Sequence, residues 1–137
     1  ETLETLGVTL LGFRTSSFPL FYSSYSKIKL QHRVNSTKEI TGIYKSNLKV
    51  GLSSSILVLN PIPEKNQIPE GEINKIIDES ILNMNKNKIT GKQATPFLLK
   101  RIAKQTNNRS LDANISLAIN NIRLGAKIAK DLSSLPL

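Results

Sequence analysis

A chain of 137 residues with ordinary apolar content fits one domain with a modest core. The absence of cysteine excludes a disulfide framework and thiolate chemistry, and a single histidine, His32, argues against a His-based metal site or a Ser-His-Asp triad built from this chain alone. The net charge of +9 is carried by scattered lysines and arginines, without the dense stripe and interleaved aromatics of a nucleic-acid binder; it suits a solvated surface or attraction of a phosphorylated substrate.

Glu1 to Leu6 reads as the last turns of a helix, with Gly7 as its C-terminal cap. There is no initiator methionine, so the chain is expected to be cut from something longer. Val8 to Phe13 (VTLLGF) predicts a strand buried on both faces. The polar run Arg14 to Ser17 leaves the C-terminal end of that strand, where open α/β sheets bind ligands. Phe18 to Tyr22 (FPLFY) reads as a packed loop or short helix over the core. Ile28 to Val34 predicts an irregular or edge strand that holds His32 as a structural residue. Ser36 with Glu39 three residues on is a capping box, so a short helix should run to about Lys45.

Ser55 to Leu59 (SILVL) predicts the second clear strand. Asn60 to Glu64 leaves it as a rigid extended segment, because two prolines fix φ and withhold N–H donors. A helix follows from about Pro69 to Asn85, with Ile73, Ile76, Ile77, Ile81 and Met84 on one apolar face. Asn83 to Lys88 reads as a solvated loop.

Gly91 to Asn121 (GKQATPFLLKRIAKQTNNRSLDANISLAINN) carries two helix starts and several amides that apolar packing does not explain. Thr95-Pro96 predicts a side-chain cap and a preset φ at the start of a helix to about Gln105, burying Phe97, Leu98 and Ile102. After a turn at Asn107-Asn108, Ser110 begins a helix to about Leu132. Its expected core face is Leu111, Ile115, Ile119, Ile122 and Ala129, with Gly125 allowing close packing. Two helix N-termini near each other can present N–H groups to an anionic or carbonyl-rich ligand. The order of elements predicts an α/β fold: part of an α/β/α layered domain with a mostly parallel sheet, ending in a C-terminal helical pair. No stretch is apolar enough to span a membrane and no signal peptide is visible, so a cytoplasmic or organellar location is expected. The three Asn-X-Ser/Thr matches, at Asn35, Asn108 and Asn114, then carry no glycosylation reading.

These segments together resemble the C-terminal part of the pseudouridine-5'-phosphate glycosidase family, also called the indigoidine synthase A-like family. Gly7 to Phe13 followed by Phe18 to Tyr22 looks like the family's strand and its FPAFY-type segment. Arg33-Val34 with Ser36 is similar to its RVDS-type segment, and Leu57 to Pro63 to its VANPIP segment. Gly91-Lys92, Thr95 to Leu99, Ser110 to Asn114 and Asn120-Asn121 resemble its GKxxTPFLL and SLxxNIxLVxNN segments. The matches cover nearly the whole chain, residues 1–137 reading as the C-terminal part of a single domain. The chain differs at Ser16 and Ser17, where the family often has acids, at Lys27, where it has a small residue, and at Ser53 to Ser55, where it is glycine-rich.

The resemblance implies reversible cleavage of the C–C glycosidic bond of pseudouridine 5'-phosphate to uracil and ribose 5-phosphate. It also implies a divalent metal, typically manganese, and a homotrimer. In the family a lysine forms an adduct with the ring-opened sugar and a glutamate handles protons. The lysine, the glutamate, the metal aspartate and the main phosphate contacts would all lie upstream of Glu1, so the chain alone would be inactive. Asn114 matches the asparagine that contacts the uracil ring, a task that suits an amide because uracil shows both donors and acceptors. The other readings are a non-catalytic remnant, a nucleotide-binding or interaction domain that keeps the fold, and a basic RNA-binding module. A core without its upstream partners would expose sheet edges and apolar faces, so the isolated chain is expected to associate.

Overall fold

A computed structural model of the chain describes residues 2–134. A first short helix, α1 (Thr2–Thr5), ends where Gly7 takes φ +78, with the amides of Gly7 and Val8 donating to the carbonyls of Glu4 and Leu3. That is the glycine-capped helix end expected from the sequence; Glu1 lies outside the described residues. The sheet that follows is parallel throughout. Its middle strand β1 (Thr9–Phe13) lies between β2 (Arg33–Val34) and β3 (Ile56–Leu59). The expected edge strand at 28–34 shrinks to two paired residues, because residues 14–32 fold as a loop over the end of β1. A parallel pair needs a long crossover. Between β2 and β3 it is α2 (Thr37–Lys49), four residues longer than the sequence suggests. Its start is as read: the Ser36 hydroxyl accepts from the Glu39 amide at 3.2 Å, and the Glu39 carboxylate reaches back to the Asn35 amide.

After β3 the chain runs extended through Pro61 and Pro63, then makes α3 (Glu70–Lys86), α4 (Ala94–Gln105) and α5 (Arg109–Ser133). The fold is thus α/β with a parallel sheet and a closing helical pair. Two apolar clusters hold it. One joins the sheet to α2 and the far end of α5: Leu11, Val34 and Ile40 are buried there, with Phe13, Ile43, Ile56, Val58 and Ile128 packed around them. The other lies beyond the strands. Tyr22, Ile62, Ile68, Ile73, Ile102 and Ala113 form it, so the FPLFY loop, the proline-rich exit and the three C-terminal helices share one core. Each buried Leu or Ile contributes about 1.5–3 kcal/mol of transfer free energy.

The strand reading needs one correction. In register, Leu11 stands beside Val58 on the face covered by α2 and α5, whereas Leu10 stands beside Leu57 on the opposite face. Leu10 is only half-buried and Leu57 is 38% exposed, and neither belongs to a cluster. A second correction concerns α5. Leu111, Ile115, Ile119, Ile122 and Ala129, the expected core face, are all exposed, Ile122 by 70%. The face that packs carries Ser110, Ala113, Leu117, Leu124 and Ile128 instead. Gly125 has no atom within 4 Å of where a Cβ would stand, so it permits no close approach. On α3, Ile81 is also exposed, and Ser80 takes the buried position; its hydroxyl donates to the Ile76 carbonyl and to Gln105 Oε1.

Candidate functional site

The start of α5 faces the FPLFY loop and the chain leaving β3. Neither helix start in this region is capped as the sequence suggests. A short 3-10 turn, Gly91–Gln93, feeds α4, so Thr95 and Pro96 lie inside its first turn rather than at its cap. Pro96 is tolerated there because the first four amides of a helix have no intrahelical acceptor. Asn108, at φ +66, precedes α5 without a side-chain cap, and Ser110 lies within the first turn. The joint is made by Thr106, a residue the sequence did not single out. Its hydroxyl donates to the Ile102 carbonyl at 2.8 Å and accepts from the Ser110 amide at 3.1 Å, so one buried oxygen ends α4 and starts α5.

Three amides of the segment, Gln105, Asn120 and Asn121, prove to be fastenings. Asn120 Nδ2 donates to the Pro61 carbonyl at 3.0 Å, and Asn60 Nδ2 donates to Asn121 Oδ1 at 2.9 Å. The Ser116 hydroxyl donates to Asn66 Oδ1 at 2.9 Å. Arg109 forms a fork with Glu72 at 2.6 and 3.3 Å, an exposed pair worth at most about 1 kcal/mol. These contacts pin α5 against the exit of β3 and the start of α3. Asn114 differs. It is half-buried on the second turn of α5, and its side chain has no hydrogen-bond partner among the described residues. A half-buried amide without a protein partner keeps its donor and acceptor capacity for water or a ligand.

Tyr22 closes the same region from below. Its ring is buried, stands edge-on to Phe21 with centroids 4.8 Å apart, and its carbonyl accepts from the Ile68 amide. Burial pushes the phenol above its ordinary value, and a hydrogen bond with Ser110 offsets part of that rise. Tyr22 is therefore a neutral prop at neutral pH. The region sets the half-buried Asn114 beside the apolar cluster that holds Ala113 and Tyr22. Among the described residues no three of His, Asp and Glu come together as a metal would need, so they do not fit a manganese ion. His32 stands apart at the sheet edge with an exposed side chain, its carbonyl accepting from the Gly12 amide at 2.9 Å.

The chain has close relatives. Residues 1–131 match the family model described as indigoidine synthase A like protein. A pseudouridine-5'-phosphate glycosidase of Brachyspira hyodysenteriae is 42% identical over 135 residues, which are 98% of this chain and 44% of that protein. The protein of the same name from Caldanaerobacter subterraneus is 44% identical over the same shares. The chain therefore spans less than half the length of these curated relatives. Among solved structures, an indigoidine synthase A-like protein from Thermotoga maritima superimposes with TM-score 0.81 at 40% identity, over 93% of this chain and 41% of that one. The prealnumycin C-glycosynthase AlnA, at 23% identity, shares the fold with TM-score 0.85 over 96% of this chain and 43% of its own.

Proposed function

Since the chain belongs to the indigoidine synthase A-like family, we propose that it is the uracil-holding portion of a pseudouridine-5'-phosphate glycosidase. The whole protein would cleave the C–C glycosidic bond reversibly to uracil and ribose 5-phosphate, a lyase-type reaction. The identity of 42–44% to proteins of that name, along almost the whole chain, carries the reading. Asn114 supports it: its half-buried amide has no hydrogen-bond partner among the described residues, and it can donate to a uracil carbonyl and accept from a ring N–H at once. Held this way, the base is oriented for attack elsewhere on the substrate. The lysine and glutamate that work on the bond belong, in this reading, to the part of the relatives' length that residues 1–137 do not span. A manganese ion belongs to the same reading, with its ligands outside this chain, because the described residues do not supply them. We place the complete protein as a homotrimer in the cytoplasm.

The test has two parts. The longer protein that contains this chain, given Mn²⁺, should release uracil from pseudouridine 5'-phosphate, read by chromatography. Asn114→Ala should weaken uracil binding about tenfold, the worth of one to two buried hydrogen bonds. No uracil released, together with unchanged uracil binding in Asn114→Ala, would sink the assignment and leave a fold-keeping remnant.

A further inference from the structure

The loop that leaves β1 shapes a cleft of about 520 Å³ whose walls carry Arg14, Lys27, Lys29 and Arg33 and no acidic residue. It opens at the C-terminal end of the middle strand of a parallel sheet, the place where such sheets take ligands. The two arginines are held by a single residue: Arg14 Nε donates to the Asn35 carbonyl at 3.2 Å and Arg33 Nε to Asn35 Oδ1 at 3.1 Å. Both contacts use Nε. The Arg14 guanidinium lies over the Phe13 ring, 5.1 Å from its centroid, yet the terminal nitrogens of both guanidinium groups and both lysine ammoniums have no hydrogen-bond or ion-pair partner among the described residues. The cleft is also stiff. Ser17 Oγ donates to the Ser26 carbonyl at 2.6 Å and accepts from the Ser26 amide at 2.9 Å, and Ser26 Oγ donates to the Phe18 carbonyl at 2.6 Å. Arg14 itself takes φ +57, a left-handed backbone that a non-glycine residue adopts only where its surroundings impose it.

We propose that this cleft binds the phosphoryl group of a small phosphate monoester. Four like charges around one cavity repel each other, and a dianion with three acceptor oxygens relieves that repulsion while engaging two guanidinium forks. A carboxylate would leave half of the donors unused. A nucleic-acid strand is the poorer fit: one exposed tyrosine, Tyr25, lines the cleft, with no series of aromatics on which bases could stack. The inference stands on the cleft alone, whether or not the glycosidase reading holds.

Inorganic phosphate is the probe. It is titrated into the isotope-labelled chain at constant ionic strength, with sodium chloride making up the balance, and amide shifts are followed by NMR. Saturable shifts confined to Thr15–Ser17 and Lys27–Lys29 are expected. The double variant Lys27→Gln, Lys29→Gln, both exposed positions that no packing depends on, should bind about tenfold more weakly, as expected for losing two charge-assisted contacts. Shifts that do not saturate, that spread equally to Lys86 and Lys100, or that persist in the double variant would overturn the proposal. So would single-stranded RNA binding the cleft more tightly than phosphate, with a steep salt dependence.

Discussion

Replacing Gly12 with alanine should be among the most damaging single-atom additions to this chain. A Cβ built there would stand 2.3 Å from the Thr15 carbonyl oxygen and 2.7 Å from Leu30 Cδ1. The leucine methyl can rotate away; the carbonyl is backbone. Restoring an ordinary carbon–oxygen separation needs a displacement of about 1 Å. Residues 15–17 cannot yield it freely, because Thr15 Oγ1 is bonded to Ser17 and Ser17 to Ser26. Overpacking of this kind costs about 1–3 kcal/mol, and a fixed backbone neighbour places Gly12→Ala near the top of that range. With a urea slope of about 1.5–2 kcal/mol per molar, the unfolding midpoint should fall by more than about 1 M. Circular dichroism against urea reads it. Gly125→Ala is the matched control: that position is open and helical, so alanine should raise stability by about 0.5–1 kcal/mol. If both variants shifted the midpoint alike, or Gly12→Ala stayed within about 0.2 M of the parent, the account of the loop's close approach to β1 would be wrong.

Three further outcomes follow from the same geometry. Thr106→Val keeps the shape but leaves the buried Ser110 amide without its acceptor, so it should destabilise by about 1–3 kcal/mol; an unchanged thermal midpoint would show that water or a shifted carbonyl takes over. Tyr22 has a raised folded-state pKa, so its contribution is fully present below pH about 10, the unfolded value, and is lost as pH rises through the higher folded value. Denaturant titrations at pH 8 and above pH 10 should show a loss that Tyr22→Phe lacks, and equal losses in both proteins would refute it. Finally, the isolated chain should self-associate through the outward stripe of α5, and Ile115→Lys with Ile119→Glu should reduce the light-scattering mass; a sharp monomer in the parent at high concentration would count against this.

The sequence carried the fold further than it carried the packing. Ser36 with Glu39 and the paired prolines after Leu59 act through neighbours in the chain, so their meaning is local and readable. The orientation of α5 is not local. It has apolar residues on two faces, Leu111–Ile115–Ile119–Ile122 and Ala113–Leu117–Leu124–Ile128, and periodicity cannot say which one meets this chain's own core. The larger side chains suggested the first face; the clusters occupy the second. Thr95-Pro96 misled for a related reason. The cap signature is real, but the preceding 3-10 turn moves the helix start upstream of it. At the site, Asn114 was singled out by the resemblance alone, and the structure adds that Ser116, Asn120 and Asn121 are hydrogen-bonded to the chain leaving β3. Thr106 and the arginine pair on Asn35 were not legible, since both depend on residues brought together by folding.

The length of α5 has a kinetic meaning. Its 25 residues extend about 37 Å, enough for Ala113 and Leu117 to sit in one cluster while Ile128 sits in the other. Thr37 at the first turn of α2 donates its hydroxyl to Asp131 near the far end of α5, which fixes that end in turn. A rod clamped at both ends cannot release one cluster without bending or melting within its own span. The sheet half and the helical half should therefore exchange their most protected amides with one common opening free energy, making the chain a single cooperative unit despite its two cores.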